Sequence, residues 1–159
     1  LFRLSIARWA RKQNESAWLA ALRAELRDPR EKFLHMTRHS GGIVRISIAR
    51  RAGRAIAGIV VLYGRNAHYT RGAMDEQEVG NSGANHLLHK TAITEACERS
   101  CGFYHMGETG TSTSLANFKE GFGAAPIPYA EYRHERIPVL SANQKIRSIV
   151  KKAIGFRDA

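Results

Sequence analysis

The chain has 159 residues, 43% of them apolar, which is enough for one domain with a hydrophobic core. Its longest apolar run, residues 55–63, is much shorter than the roughly 20 residues that cross a bilayer, and no basic-then-apolar secretion signal opens the sequence. The 25 Lys and Arg residues outnumber 14 Asp and Glu residues, and this net charge of +11 favours a polyanionic partner such as nucleic acid, a phosphorylated cosubstrate or an anionic membrane surface. We therefore expect a cytoplasmic protein that could also contact the inner face of the membrane.

The first 42 residues have the apolar spacing of helices. Apolar side chains recur every three or four positions in residues 3–13 and again in residues 16–26, which predicts two amphipathic helices. Asp28 and Pro29 then predict the start of a third helix, with Asp as the N-cap and Pro in the first helical position, and a glycine pair ends it. We assign residues 1–42 to a helical segment of the domain.

The apolar period changes to two after residue 42. In residues 43–50 apolar and polar side chains alternate, and tight turns separate this strand from strands predicted over 55–63 and 67–72. Three successive strands with short connections predict an antiparallel meander. A long helix over residues 84–100 follows, after a loop over 74–83, and its spacing places Leu88, Ala92, Ala96 and Cys97 on one apolar stripe.

A short strand over residues 103–106 comes after the long helix, and a crossover of this kind should place it parallel to the third strand. A last strand over 126–138 completes a core of residues 43–138, and residues 139–159 hold a basic amphipathic helix over 141–154. The predicted fold class is α+β, with a mixed, mostly antiparallel sheet flanked by helices.

Two cysteines and two histidines of the long helix raise the question of a zinc site. His89 and Cys97 are eight residues apart, which is roughly 12 Å of helix rise, whereas zinc ligands lie roughly 2 Å from the metal. We therefore predict no metal site, and we expect Cys97 and Cys101 to be small core-facing or surface thiols in a reducing compartment.

A loop rich in glycine and hydroxyl groups, residues 107–114, leads into a helix predicted over 115–122. The N–H groups at a helix start can hold phosphate or carboxylate, although a Ser or Thr there is also an ordinary N-cap. Lys119 lies one turn into this helix, beside a stripe of Leu115, Phe118 and Phe122 that we predict to be buried. A lysine next to such a pocket can stabilise negative charge on a reacting carbonyl.

The motif Leu-Ala-x-Phe-Lys-x-x-Phe-Gly at residues 115–123 resembles a signature of the Fem-like branch of GNAT folds. That branch includes peptidoglycan-bridge aminoacyltransferases and BioF2-like acetyltransferase domains. Residues 58–63, 69–73 and 85–102 resemble its strands and main helix, so the similarity extends from about residue 43 to 136. It implies a GNAT-like fold that transfers an acyl or aminoacyl group to an amine, and it implies a second, N-terminal GNAT-like half that precedes this chain.

The resemblance also places Lys119 in the active site, and we expect Glu108 and Tyr69 to act with it as catalytic residues. Six further side chains are candidates for binding substrates: Phe118, Arg71, Asn85, Thr109, Ser112 and Arg133. Three histidines, His68, His105 and His134, are candidate bases, although a single histidine on a strand is usually structural.

In GNAT folds the donor lies where the central strands separate, and its phosphates commonly meet the N-terminus of the main helix. The corresponding turn here contains Gly80, Asn81, Ser82 and Gly83. It lacks the basic or Gln residue followed by Gly-x-Gly of the usual CoA pyrophosphate site, so acyl-CoA and aminoacyl-tRNA both stay open as the donor. We expect no tightly bound cofactor, and an acceptor that is a small molecule or a cell-wall precursor.

The charge pattern supports an alternative function. Residues 32–74 contain no acidic residue but eight basic ones, and the predicted terminal helix is basic as well. A noncatalytic module that keeps a GNAT-like fold and binds RNA or an anionic membrane would have this pattern, with tRNA or a membrane surface as its partner.

Overall fold

A computed structural model of the chain describes residues 1–27, 29–130 and 149. Within these ranges the protein is an α+β structure with a four-stranded sheet flanked by helices, and this confirms the predicted fold class. Residues 1–124 form one compact unit and residues 125–159 a second, and the helices and strands described below belong to the first.

Three helices precede the sheet: α1 (Phe2–Gln13), α2 (Ala17–Arg27) and α3 (Arg30–His39). Pro29 takes the N-cap position of α3 rather than the first helical position, because its ψ of 146° is extended and the helix starts one residue later than predicted. The predicted cap, Asp28, lies outside the described residues.

The sheet has the order β1-β2-β3-β4. Its first three strands, β1 (Val44–Arg51), β2 (Arg54–Tyr63) and β3 (Ala67–Met74), form the predicted antiparallel meander. The fourth, β4 (Tyr104–His105), pairs with β3 in parallel, as the crossover rule predicts.

Two helices lie between β3 and β4. The loop predicted over 74–83 contains a one-turn helix, α4 (Glu76–Val79), because the Asp75 side chain caps it by accepting a hydrogen bond from the Gln77 N–H. The long helix α5 (Ala84–Glu98) then returns the chain to the start of β4.

The core lies between β2 and α5. Inward-facing Leu88, Ala92 and Ala96 of α5 pack against buried residues of β2, including Val61. Cys97, which the sequence places on the same stripe, is exposed. It follows Ala96 directly, and the rotation of about 100° per helical residue turns its side chain away from the side on which Ala96 packs.

The last described helix is α6 (Thr113–Glu120), which starts two residues earlier than predicted because Ser112 caps it. The last strand was predicted over residues 126–138, but residues 126–130 form no strand, so this part of the prediction is wrong. The rest of the predicted strand, residues 131–138, lies outside the described ranges, and so do Arg133 and His134. Of the predicted terminal helix, only Ile149 is described. None of the helices in the described ranges has the length and apolar character needed to cross a bilayer.

Candidate active site

The two parallel strands β3 and β4 are paired at only two positions, Ala67 with Tyr104 and His68 with His105. β3 continues to Met74, whereas β4 ends at His105. Along residues 69–74 the edge of β3 therefore has no strand partner within the described part of the chain. An open strand edge of this kind can hydrogen-bond the backbone-like amides of a ligand. We call this edge of β3 beyond the end of β4 the notch.

Lys119 is buried beside the notch, with 7% of its surface exposed. Its Nζ donates hydrogen bonds to the carbonyl oxygen of Gly107, at 2.6 Å, and to Oγ1 of Thr109, at 2.9 Å. Gly107 lies just beyond β4 and against Tyr69 of β3, since a Cβ added to it would be 3.7 Å from the Tyr69 ring. Lys119 therefore holds the loop at the end of β4 in place.

Burial lowers the pKa of the Lys119 ammonium, and the negative charge of Glu108 opposes that effect. An ammonium group has three N–H donors, and two of those on Lys119 are used by the loop. The third has no hydrogen-bond partner among the described residues. It could bind a substrate oxygen.

The sequence predicted the opposite arrangement on α6. Leu115, expected to be buried, is 37% exposed, and Lys119, expected beside the buried stripe, is the buried residue of the helix. The prediction was wrong because the loop supplies two oxygen acceptors for the ammonium, and such partners make the burial of a charge tolerable.

An aromatic cluster on α5, β3 and β4 borders Lys119. His89 is 5% exposed, its Nδ1 lies 3.1 Å from the hydroxyl of Tyr104, and its ring lies 4.8 Å from that of Tyr69. Phe118 of α6 packs on the same imidazole, with ring centroids 5.5 Å apart.

The pKa shifts in this cluster keep its titratable rings uncharged at pH 7. Desolvation, followed by the charges of His86 and Lys119, lowers the pKa of His89 to about 4, so its imidazole is neutral at pH 7. Burial raises the pKa values of Tyr69 and Tyr104, so both phenols stay protonated. The sequence did not single out His89 or Tyr104 as site residues. The available signal for His89 was its spacing of three and seven residues from the inward-facing Ala92 and Ala96 of α5.

A β-bulge in β3 separates Tyr69 from Arg71. Tyr69 pairs with Val61 and Arg71 with Val60, so the two side chains point to opposite faces of the sheet although a strict period of two would give them one face. Tyr69 faces α5. Arg71 faces the N-terminal helices, where its guanidinium carbon lies 5.3 Å from the centre of the Phe33 ring.

On that second face, a cavity of about 190 Å³ lies between helices α1–α3 and the sheet. Of the described residues that line it, seven have apolar side chains, and the other four are Ser5, Thr37, Arg30 and Arg71. None of these described lining residues is acidic.

The turn predicted to bind donor phosphates lies at the N-terminus of α5. Gly80 and Gly83 have positive φ angles, 30° and 68°, and open space surrounds both positions. The Ser82 hydroxyl accepts a hydrogen bond from the first N–H of α5, at 3.3 Å, and Asn81 is exposed. The geometry leaves this helix terminus open to an anionic group.

The remaining predicted site residues have several roles. Ser112 caps α6 by accepting the Leu115 N–H at 3.4 Å, which is the ordinary role of a serine at this position. Asn85 is half-buried and donates to the sulfur of Met74 at 3.0 Å, which connects α5 to the end of β3. The structure thus brings Lys119 together with Thr109, Glu108 and Phe118, and it puts Tyr69 next to the same loop.

Several bases of the acid-free stretch are paired with acids from elsewhere in the chain. Arg45 binds Glu95 at 2.8 Å, and Arg54 binds Glu78 at 3.0 Å. This pairing reduces the positive field of the stretch, and binding to a polyanion remains a prediction.

A family model described as an acetyltransferase (GNAT) domain matches residues 1–120. No curated protein sequence matches the chain significantly. Among solved structures, a transcriptional regulator from Bacillus halodurans is similar, with a TM-score of 0.56 and 14% identity over 82% of this chain and 93% of that one.

A ribosomal-protein-alanine N-acetyltransferase from Brucella melitensis is similar with a TM-score of 0.53 and 13% identity, over 84% of this chain and 89% of that one. An aminoglycoside antibiotic 6'-N-acetyltransferase from Acinetobacter haemolyticus has a TM-score of 0.52 and 14% identity, over 69% of this chain and 83% of that one. At these identities the similarity shows a shared fold.

Proposed function

Because the chain belongs to the GNAT acetyltransferase domain family, we propose that it transfers an acyl group from an activated donor to an amine. The observation that carries the proposal is the notch on β3 with the buried Lys119 beside it. The N–H groups of the open strand edge and the remaining ammonium N–H are hydrogen-bond donors that could face one carbonyl oxygen.

The reaction follows from these hydrogen-bond donors. The donor's acyl carbonyl lies at the notch, the acceptor nitrogen attacks the carbonyl carbon, and the bond from that carbon to the leaving sulfur or oxygen breaks. Negative charge develops on the carbonyl oxygen, where β3 N–H groups and Lys119 stabilise it. The leaving group takes up the proton that the amine loses. Lys119 also fixes the loop that carries Glu108 and Thr109, which orient the substrates together with Tyr69.

The donor is an acyl thioester of CoA or an aminoacyl-tRNA. The open turn at residues 80–83 suits phosphate groups of either donor, because a helix terminus favours anions whatever molecule carries them. The net charge of +11 and the Phe-Lys motif support the finer, Fem-like proposal of an aminoacyl-tRNA donor and a cell-wall precursor as acceptor, used in the cytoplasm near the membrane.

The test is to incubate the purified protein with acetyl-CoA and a mixture of amines, and separately with charged tRNA, and to search for acylated products by mass spectrometry. Lys119→Met should abolish product formation, and Lys90→Met, which removes an exposed lysine of α5, should not. If no acylated amine forms with either donor, or if Lys119→Met retains full activity, the proposal is wrong.

One observation favours a second candidate, a noncatalytic module that binds an anionic membrane. α2 exposes three large apolar side chains one turn apart, Trp18 at 69%, Leu22 at 50% and Leu26 at 79%. Such a row on a basic domain is typical of helices that lie on a membrane surface. Under this candidate, Trp18→Ser weakens binding to vesicles of phosphatidylglycerol, and Lys119→Met does not.

A further inference from the structure

The cavity between α1–α3 and the sheet is large enough for a small molecule. Its volume of about 190 Å³ exceeds the roughly 150 Å³ of an engineered apolar protein cavity that binds benzene. Aromatic side chains line it from two helices, Phe2 of α1 and Phe33 of α3, and aliphatic side chains of β1, Ile46 and Ile48, line it from the sheet. An aromatic ring can therefore pack against both walls.

A buried hydroxyl marks the place where a polar atom of a ligand would bind. Ser5 lines the cavity from α1 and is 8% exposed, and its hydroxyl has no hydrogen-bond partner within the described part of the chain. Only its backbone N–H is bonded, to the carbonyl oxygen of Leu1 at 3.0 Å. A buried hydroxyl without a partner costs free energy, and one polar atom of a ligand removes that cost.

The third helix provides both a comparison and a route of entry. The hydroxyl of Thr37, which also lines the cavity, donates to the carbonyl oxygens of Leu34 and Phe33, at 3.0 and 3.1 Å, so it needs no ligand. None of the residues of α3 is buried. An element without buried side chains opens at a low cost in free energy, so α3 is the side on which a ligand enters.

We propose that this cavity binds a small neutral phenol, whose ring lies between the helices and the sheet and whose hydroxyl pairs with Ser5. A phenol carries one hydroxyl on a flat apolar ring, which matches one buried hydroxyl among apolar and aromatic walls. A charged ligand would lose its hydration on entry, and this cost favours a neutral one. Arg71 is already stacked on Phe33, and a phenol needs no charge from it. The site is independent of the proposed acyl transfer.

Two ligands of nearly the same size and shape test the role of the hydroxyl, since p-cresol has a hydroxyl where p-xylene has a methyl group. NMR titration of the isotope-labelled protein should show saturable binding of p-cresol, about 3- to 10-fold tighter than binding of p-xylene. Tighter binding of p-toluate, the corresponding carboxylate, than of p-cresol would identify an anion site and contradict the neutral ligand.

Replacement of Ser5 tests the hydrogen bond itself. Ser5→Ala should make the affinities for p-cresol and p-xylene equal, whereas Thr37→Val, the matched control, should keep the preference for p-cresol. Without ligand, Ser5→Ala should not lower the melting temperature, because the hydroxyl has no bond to lose. A lower melting temperature would show that the hydroxyl is already bonded, which the proposal does not allow.

Variants that fill the cavity show whether binding occurs there. Ala24 is 1% exposed and lines the cavity from α2, so Ala24→Leu should abolish binding of both ligands while the protein still melts cooperatively. Ile48→Phe fills the cavity from the sheet, at a side chain that is 40% exposed, and replaces the first variant if Ala24→Leu does not fold. Unchanged binding of p-cresol by a folded filling variant, or no saturable binding by the wild-type protein, would overturn the proposal.

Discussion

Replacement of Lys119 by Met tests the arrangement on which the proposed activity depends. The change keeps an unbranched side chain as far as Cε but removes the ammonium and its two hydrogen bonds, of 2.6 and 2.9 Å, to Gly107 and Thr109. A hydrogen bond to a charged group contributes about 1.5–3 kcal/mol, and the cost of burying the charge offsets part of the sum. We expect the free energy of unfolding to fall by about 2 kcal/mol.

Urea denaturation followed by circular dichroism measures this loss, and Thr109→Val serves as the partial variant. It removes one of the two bonds and should cost about 1 kcal/mol. Acyl transfer should fall about 100-fold or more in Lys119→Met at a temperature where it is fully folded, because a single oxyanion donor is worth that much in kcat. Unchanged transfer by the folded variant refutes the role in the reaction, and unchanged stability refutes the role of the ammonium in holding the loop.

Three other perturbations test neighbouring parts of the structure. In Gly72→Ala the added Cβ overlaps the hydroxyl of Tyr69, so we expect about 1–3 kcal/mol of destabilisation by thermal melting, which Tyr69→Phe in the same chain should relieve. The pKa of His89 is about 4 in the folded protein against an ordinary 6.5, so as the pH falls from 7 to 4 the unfolded chain takes up a proton that the folded one does not. Stability should therefore decrease by about 3 kcal/mol over that window, and urea denaturation of His89→Gln should show a smaller decrease. Glu95→Gln should cost no more than about 1 kcal/mol, since its ion pairs are exposed, and the same measurement in roughly 1 M salt should give no difference.

Local sequence patterns predicted most of the elements because each depends on near neighbours. The alternation in residues 43–50, the apolar run over 55–63 and the turns between the segments predicted three strands in an antiparallel meander, which the registers confirm. The long helix predicted between the third and fourth strands predicted a parallel fourth strand, and its register with β3 confirms this. The predictions were wrong where a single residue sets the start of a helix, as at the cap of α3 and at the one-turn helix that Asp75 begins.

Less of the candidate site could be predicted from the sequence. The Phe-Lys motif made Lys119 a candidate, but its burial depends on the Gly107 carbonyl and the Thr109 hydroxyl, which the folded loop brings to it. His89 and Tyr104 are 15 residues apart and lie on different elements, so their contact follows from the packing of α5 against the sheet.

The sequence by itself determined the periodicities of this protein, its charge and the motif at residues 115–123, because these are properties of neighbouring residues. Only the tertiary structure decided which side of the sheet each site residue faces. One extra residue in β3 turns Tyr69 towards α5 and Arg71 towards the helices α1–α3, and a bulge arises from the pairing with β2, since no local pattern in the chain specifies it.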